Sequence, residues 1–332
     1  MEVKRFNKSI VKNWVKKNCM IDINIDALYD VQVKRVHEYK RQLLDALYVV
    51  HRYLSIKETP KSERSKIVKR VIFFGGKAAP GYQQAKTIIQ LINLISYEVN
   101  SDKEIGDILK VIFLPNYSVT IAEMIIPATD LSQQISTAGT EASGTGNMKF
   151  AMNGSLIIGT LDGANIEIAE KIGKENMFIF GATETQIKEF RIQISQSKKY
   201  YIPPRLKYII EEVRKGRFGK ISEINHIFDN ILNGKDDYCL CLDWESYLDA
   251  QKRVDDLYLK PSKWIEKSIQ TISNMGEFSS DRSITEYAEK IWNVKPVSIP
   301  NPALDPKQIY LSRRNSPKLR LFQKFSLMNN IF

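Results

Sequence analysis

Residues 139–154 read GTEASGTGNMKFAMNG, four glycines and several small hydroxyl residues running into a short apolar stretch that carries one lysine, Lys149. A glycine-rich turn entering a helix leaves backbone N–H groups aimed at one point, and the helix dipole adds positive potential there. A phosphate suits that point, with Gly144, Thr145 and Gly146 as the turn and the Thr145 hydroxyl as a further donor. Lys149 follows Thr145 by four residues, so both share one helix face, roughly 6 Å apart along the axis. A ligand with a phosphate at one end and an electrophilic carbon at the other would span that gap. Pyridoxal phosphate has this shape, and a lysine forming a Schiff base is the chemistry it needs. A solvated surface lysine after an ordinary loop fits the same pattern. The Walker spacing is absent, and Lys149 occupies the place of the third glycine of a dinucleotide fingerprint, so ATP and NAD are poorly supported.

A second candidate anion site lies in QVKRVHEYKRQLLDALYVVHRYL, residues 32–54. The spacing of Leu43, Leu44, Leu47, Val50 and Leu54 predicts a helix through this segment with Lys34, Arg35, Lys40 and Arg41 in its first turns. Cations there oppose the dipole, which implies either a bound anion or a wet basic face. His37 and Tyr39 lie in the same cluster.

The elements that must position these residues follow a βα rhythm. Strands are expected at 68–74, 108–114, 155–160 and 177–180, each a nearly continuous apolar run of the kind buried on both faces of a parallel sheet. Ligands in such sheets bind beyond the carboxyl ends of strands, which directs attention to the loops at 75–82, 115–120, 136–146 and 161–165. From about residue 184 the pattern turns helical, with helices expected at 204–214, 223–233, 244–257 and 279–292. The last carries a capping box from Ser283 to Glu286. Residues 1–20 suggest a surface helix burying a face of Phe6, Ile10, Trp14 and Val15, and they lack the arginine and serine enrichment of a mitochondrial presequence. Residues 296–332 show no period and read as an extended basic tail.

The 332 residues carry a net charge of +11, with lysines spread along the chain rather than gathered in a block. No nucleic-acid-binding motif accompanies the charge, so a nucleic-acid partner is not expected. Nor is a membrane span, because no stretch approaches about 18 apolar residues. Cys19, Cys239 and Cys241 have no metal-ligand spacing and suit a reducing, cytoplasmic setting.

The stretches DVQVKRVHEYKRQLL, GGKAAPGYQQAK, FLPNYSVTIAEMIIPATDLSQQISTAGTEASGTGNMKFAMNGSLIIGTLDGANIEI and FSSDRSITEYAEKIW resemble the glycogen (α-1,4-glucan) phosphorylase family over roughly residues 5–295. The resemblance implies an α/β fold, a Rossmann-like doubly wound parallel sheet with helices on both faces, plus a helical C-terminal part. This would be the C-terminal half of a two-domain GT-B-type glycosyltransferase. It implies a lead-in at 1–30, a pyridoxal-phosphate-binding domain at 31–295 and the tail beyond. The implied reaction transfers the terminal glucosyl unit of an α-1,4-glucan to inorganic phosphate, giving glucose 1-phosphate with retained configuration, with the phosphate of pyridoxal 5'-phosphate taking part. Lys149 would hold the cofactor as a Schiff base, with Gly144, Thr145, Gly146 and Lys34 around its phosphate and Tyr117 beside its ring. Arg35 and Lys40 would hold the substrate phosphate. Glu141, Ser143 and Gly144 would bind glucose hydroxyls, with His37 also on the substrate side. Family members are homodimers more than twice as long, so activity is expected to need a separate N-terminal half. A non-catalytic glucan- or partner-binding remnant is the alternative. An aminotransferase-like enzyme is disfavoured, because no aspartate motif for the pyridine nitrogen is recognisable.

Overall fold

The computed structural model describes residues 2–196, 199–220 and 222–297. Most of the expected tail, 298–332, lies outside the described residues.

Six strands form one parallel sheet: β1 (Leu28–Val33), β2 (Arg70–Gly75), β3 (Leu109–Leu114), β4 (Leu131–Gln134), β5 (Leu156–Gly159) and β6 (Phe178–Ile179). Their order is β3-β2-β1-β4-β5-β6, the doubly wound arrangement in which the chain reverses direction across the sheet between β1 and β4. Each expected strand is present. Its alternate residues feed two cores, as burial on both faces requires. Ile72, Phe74, Val111, Leu131 and Ile158 pack on one side with α2 (Gln42–Glu58), α3 (Gln83–Ser101), α8 (Pro204–Arg214), α9 (Ile224–Leu232) and α10 (Leu240–Tyr258). Val71, Phe73, Val31, Ile112 and Leu114 pack on the other with α1 (Glu2–Cys19), α4 (Val119–Ala128) and Phe150 of α5 (Gly146–Met152). The remaining helices of this unit are α6 (Ala164–Ile172), α7 (Glu184–Ser195) and α11 (Pro261–Ser273).

Three sequence expectations need correction, and strand β4 was not among those expected. The segment from residue 32 does not begin a helix: it ends β1, and Lys34 and Arg35 follow that strand in a loop, while α2 starts only at Gln42. Residues 131–134, Leu-Ser-Gln-Gln, form a strand that their polarity concealed, because Gln133 bonds Asp30 and Tyr247 inside the sheet. On α1 the buried face is Lys8, Val11 and Val15, whereas Phe6 and Ile10 are exposed. Finally, α12 (Ser280–Tyr287) starts three residues before Ser283, which therefore stands inside the helix and not at its cap. Residues 280–297 belong to a second unit, where α12 passes into a π-helical turn and Glu286 pairs with Arg282 and Lys290.

The sheet also encloses charge. Arg70, fully buried on β2, donates to Asp30 (2.9 Å), to Asp255 (2.8 Å) and to Gln251. Burial pushes the Asp30 carboxyl above its usual range, and the Arg70 charge opposes that rise. Removing one member of a buried pair leaves the other uncompensated. Arg70→Ala is expected to lose roughly 3–5 kcal/mol in urea unfolding; an unchanged midpoint would contradict the role given to this network.

Candidate functional site

The loops leaving β1, β2, β4 and β5 meet at the carboxyl edge of the sheet, where the strand order reverses. Between β1 and β2 the approach is close enough to require glycine. A Cβ on Gly76 would stand 1.9 Å from the Lys34 carbonyl oxygen. One on Gly75 would touch the Tyr117 ring at 3.4 Å, which places that tyrosine against the end of β2. Tyr117 is half-buried, and burial raises its pKa.

The segment after β1 is fixed by Gln42 at the start of α2, which accepts from the His37 N–H (3.3 Å) and donates to the Arg35 carbonyl (3.1 Å). Arg35 thus has a pinned backbone and an exposed side chain. The His37 ring lies between Tyr39 and Tyr82, with centroids 4.7 and 4.8 Å away. Arg41 has a different part from the one its place in a basic cluster suggested. It is fully buried in the left-handed region (φ 58°), donating to the carbonyls of Ile135 and Ser136 and pairing with Asp243 of α10 at 2.6 Å. Arg41 ties the loops together and is not free for an anion.

Lys34 and Lys40 remain at the edge. Lys34 donates to Gln134 Oε1 at 2.8 Å. Loss of hydration pushes Lys34 down to about 8, with the Lys40 charge adding to the fall and Glu141 and Asp162 opposing it. Lys40 forms an ion pair with Glu141 and lies 4.6 Å from the Tyr39 ring centroid. Burial works against its charge, but its bonds to Glu141 and Tyr39 outweigh that and raise its pKa.

The loop after β4 is held by Asp162, a residue of the 161–165 loop that sequence reading flagged as a segment without assigning a role. Its buried carboxylate accepts from Gly139 N–H (2.9 Å), Glu141 N–H (2.9 Å) and the Ser136 hydroxyl (2.6 Å). Gly163, at φ +50°, brings this loop so near that a Cβ there would stand 2.5 Å from the Ser143 carbonyl oxygen.

The glycine turn then opens α5, as expected. Gly144 takes φ +82°, Thr145 is the residue before the helix, and the Lys149 N–H bonds back to the Thr145 carbonyl. Ser143, Thr145 and Lys149 are exposed. The amides of Gly144, Thr145 and Gly146 donate to no acceptor among the described residues. A chain of buried amides joins the two halves of the site. Lys34 bonds the Gln134 side chain, the Gln134 carbonyl accepts from Asn165 (2.9 Å), and Asn165 accepts from Asn147 (2.9 Å), whose side chain lies against Gly144. Neither Asn165 nor Gln134 is among the expected site residues, although Asn165 closes the 161–165 loop that follows β5.

Fold and site together define a doubly wound α/β protein that gathers lysines and a glycine turn at its switch point. Residues 1–294 match the family model of carbohydrate phosphorylase, and the chain belongs to that family. It is 50% identical over 302 residues to "Glycogen phosphorylase 2" of Dictyostelium discoideum, covering 91% of this chain and 30% of that protein. It is 47% identical to "Glycogen phosphorylase" of Synechocystis sp. (90% and 35%) and 48% identical to "Glycogen phosphorylase, brain form" of Homo sapiens (91% and 36%). The chain therefore spans about a third of the length of these relatives. The family has the GT-B fold, and the six-stranded parallel sheet described here is of that kind. Among the described residues no helix is long and apolar enough to cross a membrane.

Because three donors converge on Asp162, its removal should free the loop it holds. Asp162→Ala is expected to cost roughly 1–3 kcal/mol and to speed hydrogen exchange at the Gly139 and Glu141 amides; protection left intact there would refute the assignment.

Proposed function

We propose that this chain carries the cofactor and phosphate sites of a pyridoxal-phosphate-dependent α-1,4-glucan phosphorylase, transferring a terminal glucosyl unit to inorganic phosphate to give glucose 1-phosphate with retention. The observation that carries the reading is the amide chain from Lys34 to Gly144, which links a cationic loop to a glycine turn one helical turn before Lys149. The residues fit the cofactor. Three unpaired backbone amides and the positive φ of Gly144 form a cradle for a phosphate, and open space surrounds the Cβ position of Gly146.

On this reading Gly144, Thr145, Gly146 and Lys34 hold the cofactor phosphate, Tyr117 flanks the ring and Lys149 holds the carbonyl end. Bound there, the cofactor supplies a phosphate whose second pKa near 6 suits proton exchange at neutral pH. Arg35 and Lys40 bind the substrate phosphate next to it. Two adjacent phosphates repel, so the site needs the cations that these loops gather. Glu141, Ser143 and Gly144 bind hydroxyls of the terminal glucose, with His37 on the same side. When phosphate draws Lys40 away from Glu141, that carboxylate becomes available to a sugar hydroxyl. Residues 31–295 would be the cofactor-binding part, and 1–30 would lead into it.

The partners on this reading are a glucan and inorganic phosphate, with the part of its relatives that this chain does not span completing the site and with self-association as in homodimeric family members. Free Cys19, Cys239 and Cys241 accord with a cytoplasmic location.

The full chain is expected to take up pyridoxal 5'-phosphate with a fluorescence signal that Lys149→Ala abolishes. It should release glucose 1-phosphate from glycogen only when the first half of a relative is supplied. Uptake that survives Lys149→Ala would refute the cofactor assignment, and uptake without phosphorolysis in the complemented protein would favour a non-catalytic binding subunit. Affinity for the cofactor should also fall as pH rises through about 8, where Lys34 loses its proton; Lys40, Glu141 and Asp162 face the same group, and an affinity flat from pH 7 to about 10 would contradict the part given to Lys34.

A further inference from the structure

The cations that follow β1 differ in what holds them. Lys40 is paired with the Glu141 carboxylate and Arg41 with that of Asp243. Lys34 has no carboxylate bonded to it among the described residues. Its ammonium donates to the amide oxygen of Gln134, the last residue of β4, at 2.8 Å. That amide is itself fixed at its other end, because Gln134 Nε2 donates to the buried Ser132 hydroxyl at 2.8 Å, so its oxygen is the atom turned toward Lys34. The Gln134 backbone is pinned as well: its carbonyl accepts from Asn165 and from the Thr160 N–H, and it lies so close to Gly159 that a Cβ there would stand 2.6 Å away. Gln134 is 6% exposed and cannot turn aside to solvent.

A neutral acceptor and a charged one act differently on a lysine that must also bind an anion. A carboxylate at this distance would add a full opposite charge to the hydrogen bond and form an ion pair, and an incoming phosphate would have to compete with it. An amide oxygen orients the ammonium, occupies one of its three donors and leaves the charge in place. We propose that Gln134 is a positioning residue for the phosphate end of the cofactor, holding Lys34 Nζ in place without cancelling its charge. This inference rests on the cofactor reading given above and adds to it a residue that does not touch the ligand. Gln134 acts on the phosphate alone and is indifferent to the carbonyl end held by Lys149.

The test compares two aldehydes, pyridoxal 5'-phosphate and pyridoxal, each titrated against the full 332-residue chain by the Lys149-dependent fluorescence signal. Their affinity ratio isolates the phosphate. The unsubstituted chain should favour pyridoxal 5'-phosphate at least about tenfold, and Gln134→Glu should cut that ratio roughly tenfold while leaving pyridoxal uptake unchanged. A parallel loss for both aldehydes would mean that Gln134 only supports the fold, and a preserved ratio would mean that its neutrality does not matter; either result overturns the inference while the cofactor reading stands. A second comparison holds even where Gln134→Glu does not fold. If Gln134 works through Lys34, then Gln134→Met combined with Lys34→Met should lower the ratio no further than Lys34→Met alone, and an independent additional loss overturns the inference. An unsubstituted chain that takes up neither aldehyde, or shows no preference for the phosphorylated one, removes the cofactor reading and this inference with it.

Discussion

The carboxyl edge of this sheet depends on one constraint: like charges and flexible glycine loops must be held close together by buried polar groups that are themselves satisfied. Lys34 and Lys40 repel, and the Lys40 charge adds to the fall in the Lys34 pKa that burial begins. What keeps them at one edge is a set of acceptors with assigned partners. Glu141 takes Lys40, Gln134 takes Lys34, and Asp162 takes the backbone of the loop that presents Glu141. A buried polar network of this kind rigidifies when complete and is costly when any member is missing. Two of these acceptors, Gln134 and Asp162, position the site without meeting a ligand.

The same principle runs through the sheet. β4 is a strand of serine and glutamine in the middle of an otherwise apolar layer, and it is stable there because each polar side chain has a partner. Gln133 bonds Asp30 and Tyr247, Gln134 bonds Ser132 and Lys34, and Asp30 in turn meets Arg70. The two large hydrophobic cores supply the bulk of the burial, while these polar contacts fix the register at the position where β1 and β4 diverge.

This division explains what could be read from the sequence. Strands β2, β3, β5 and β6 were legible because burial on both faces demands continuous apolar runs, and the glycine turn before Lys149 was legible because few other residues tolerate its backbone. β4 was hidden because its stability comes from pairings between residues about a hundred positions apart, which no local period records. β1 was misread because a short strand and the helix after it share one amphipathic stretch, and only Arg41, in a conformation rare for a residue with a side chain, separates a 3-10 turn at Glu38–Lys40 from α2. For the candidate site the lysines and glycines stood out by type, whereas Asp162, Asn165 and Gln134 did not. Their importance lies in what they accept and donate after folding.

Arg41 carries a consequence for how the molecule is made. Its guanidinium reaches Asp243, a residue 202 positions further along the chain, and that pair closes the floor beneath the loops after β1 and β4. A nascent chain that has left the ribosome through β6 already contains every residue proposed to touch a ligand, yet α10 is still unsynthesised and Arg41 is a buried charge awaiting its counter-ion. Contacts of such long sequence separation form late and slowly. Maturation of the ligand-binding edge is thus tied to the arrival of a distant C-terminal helix, an ordering in time that the sheet topology alone does not impose.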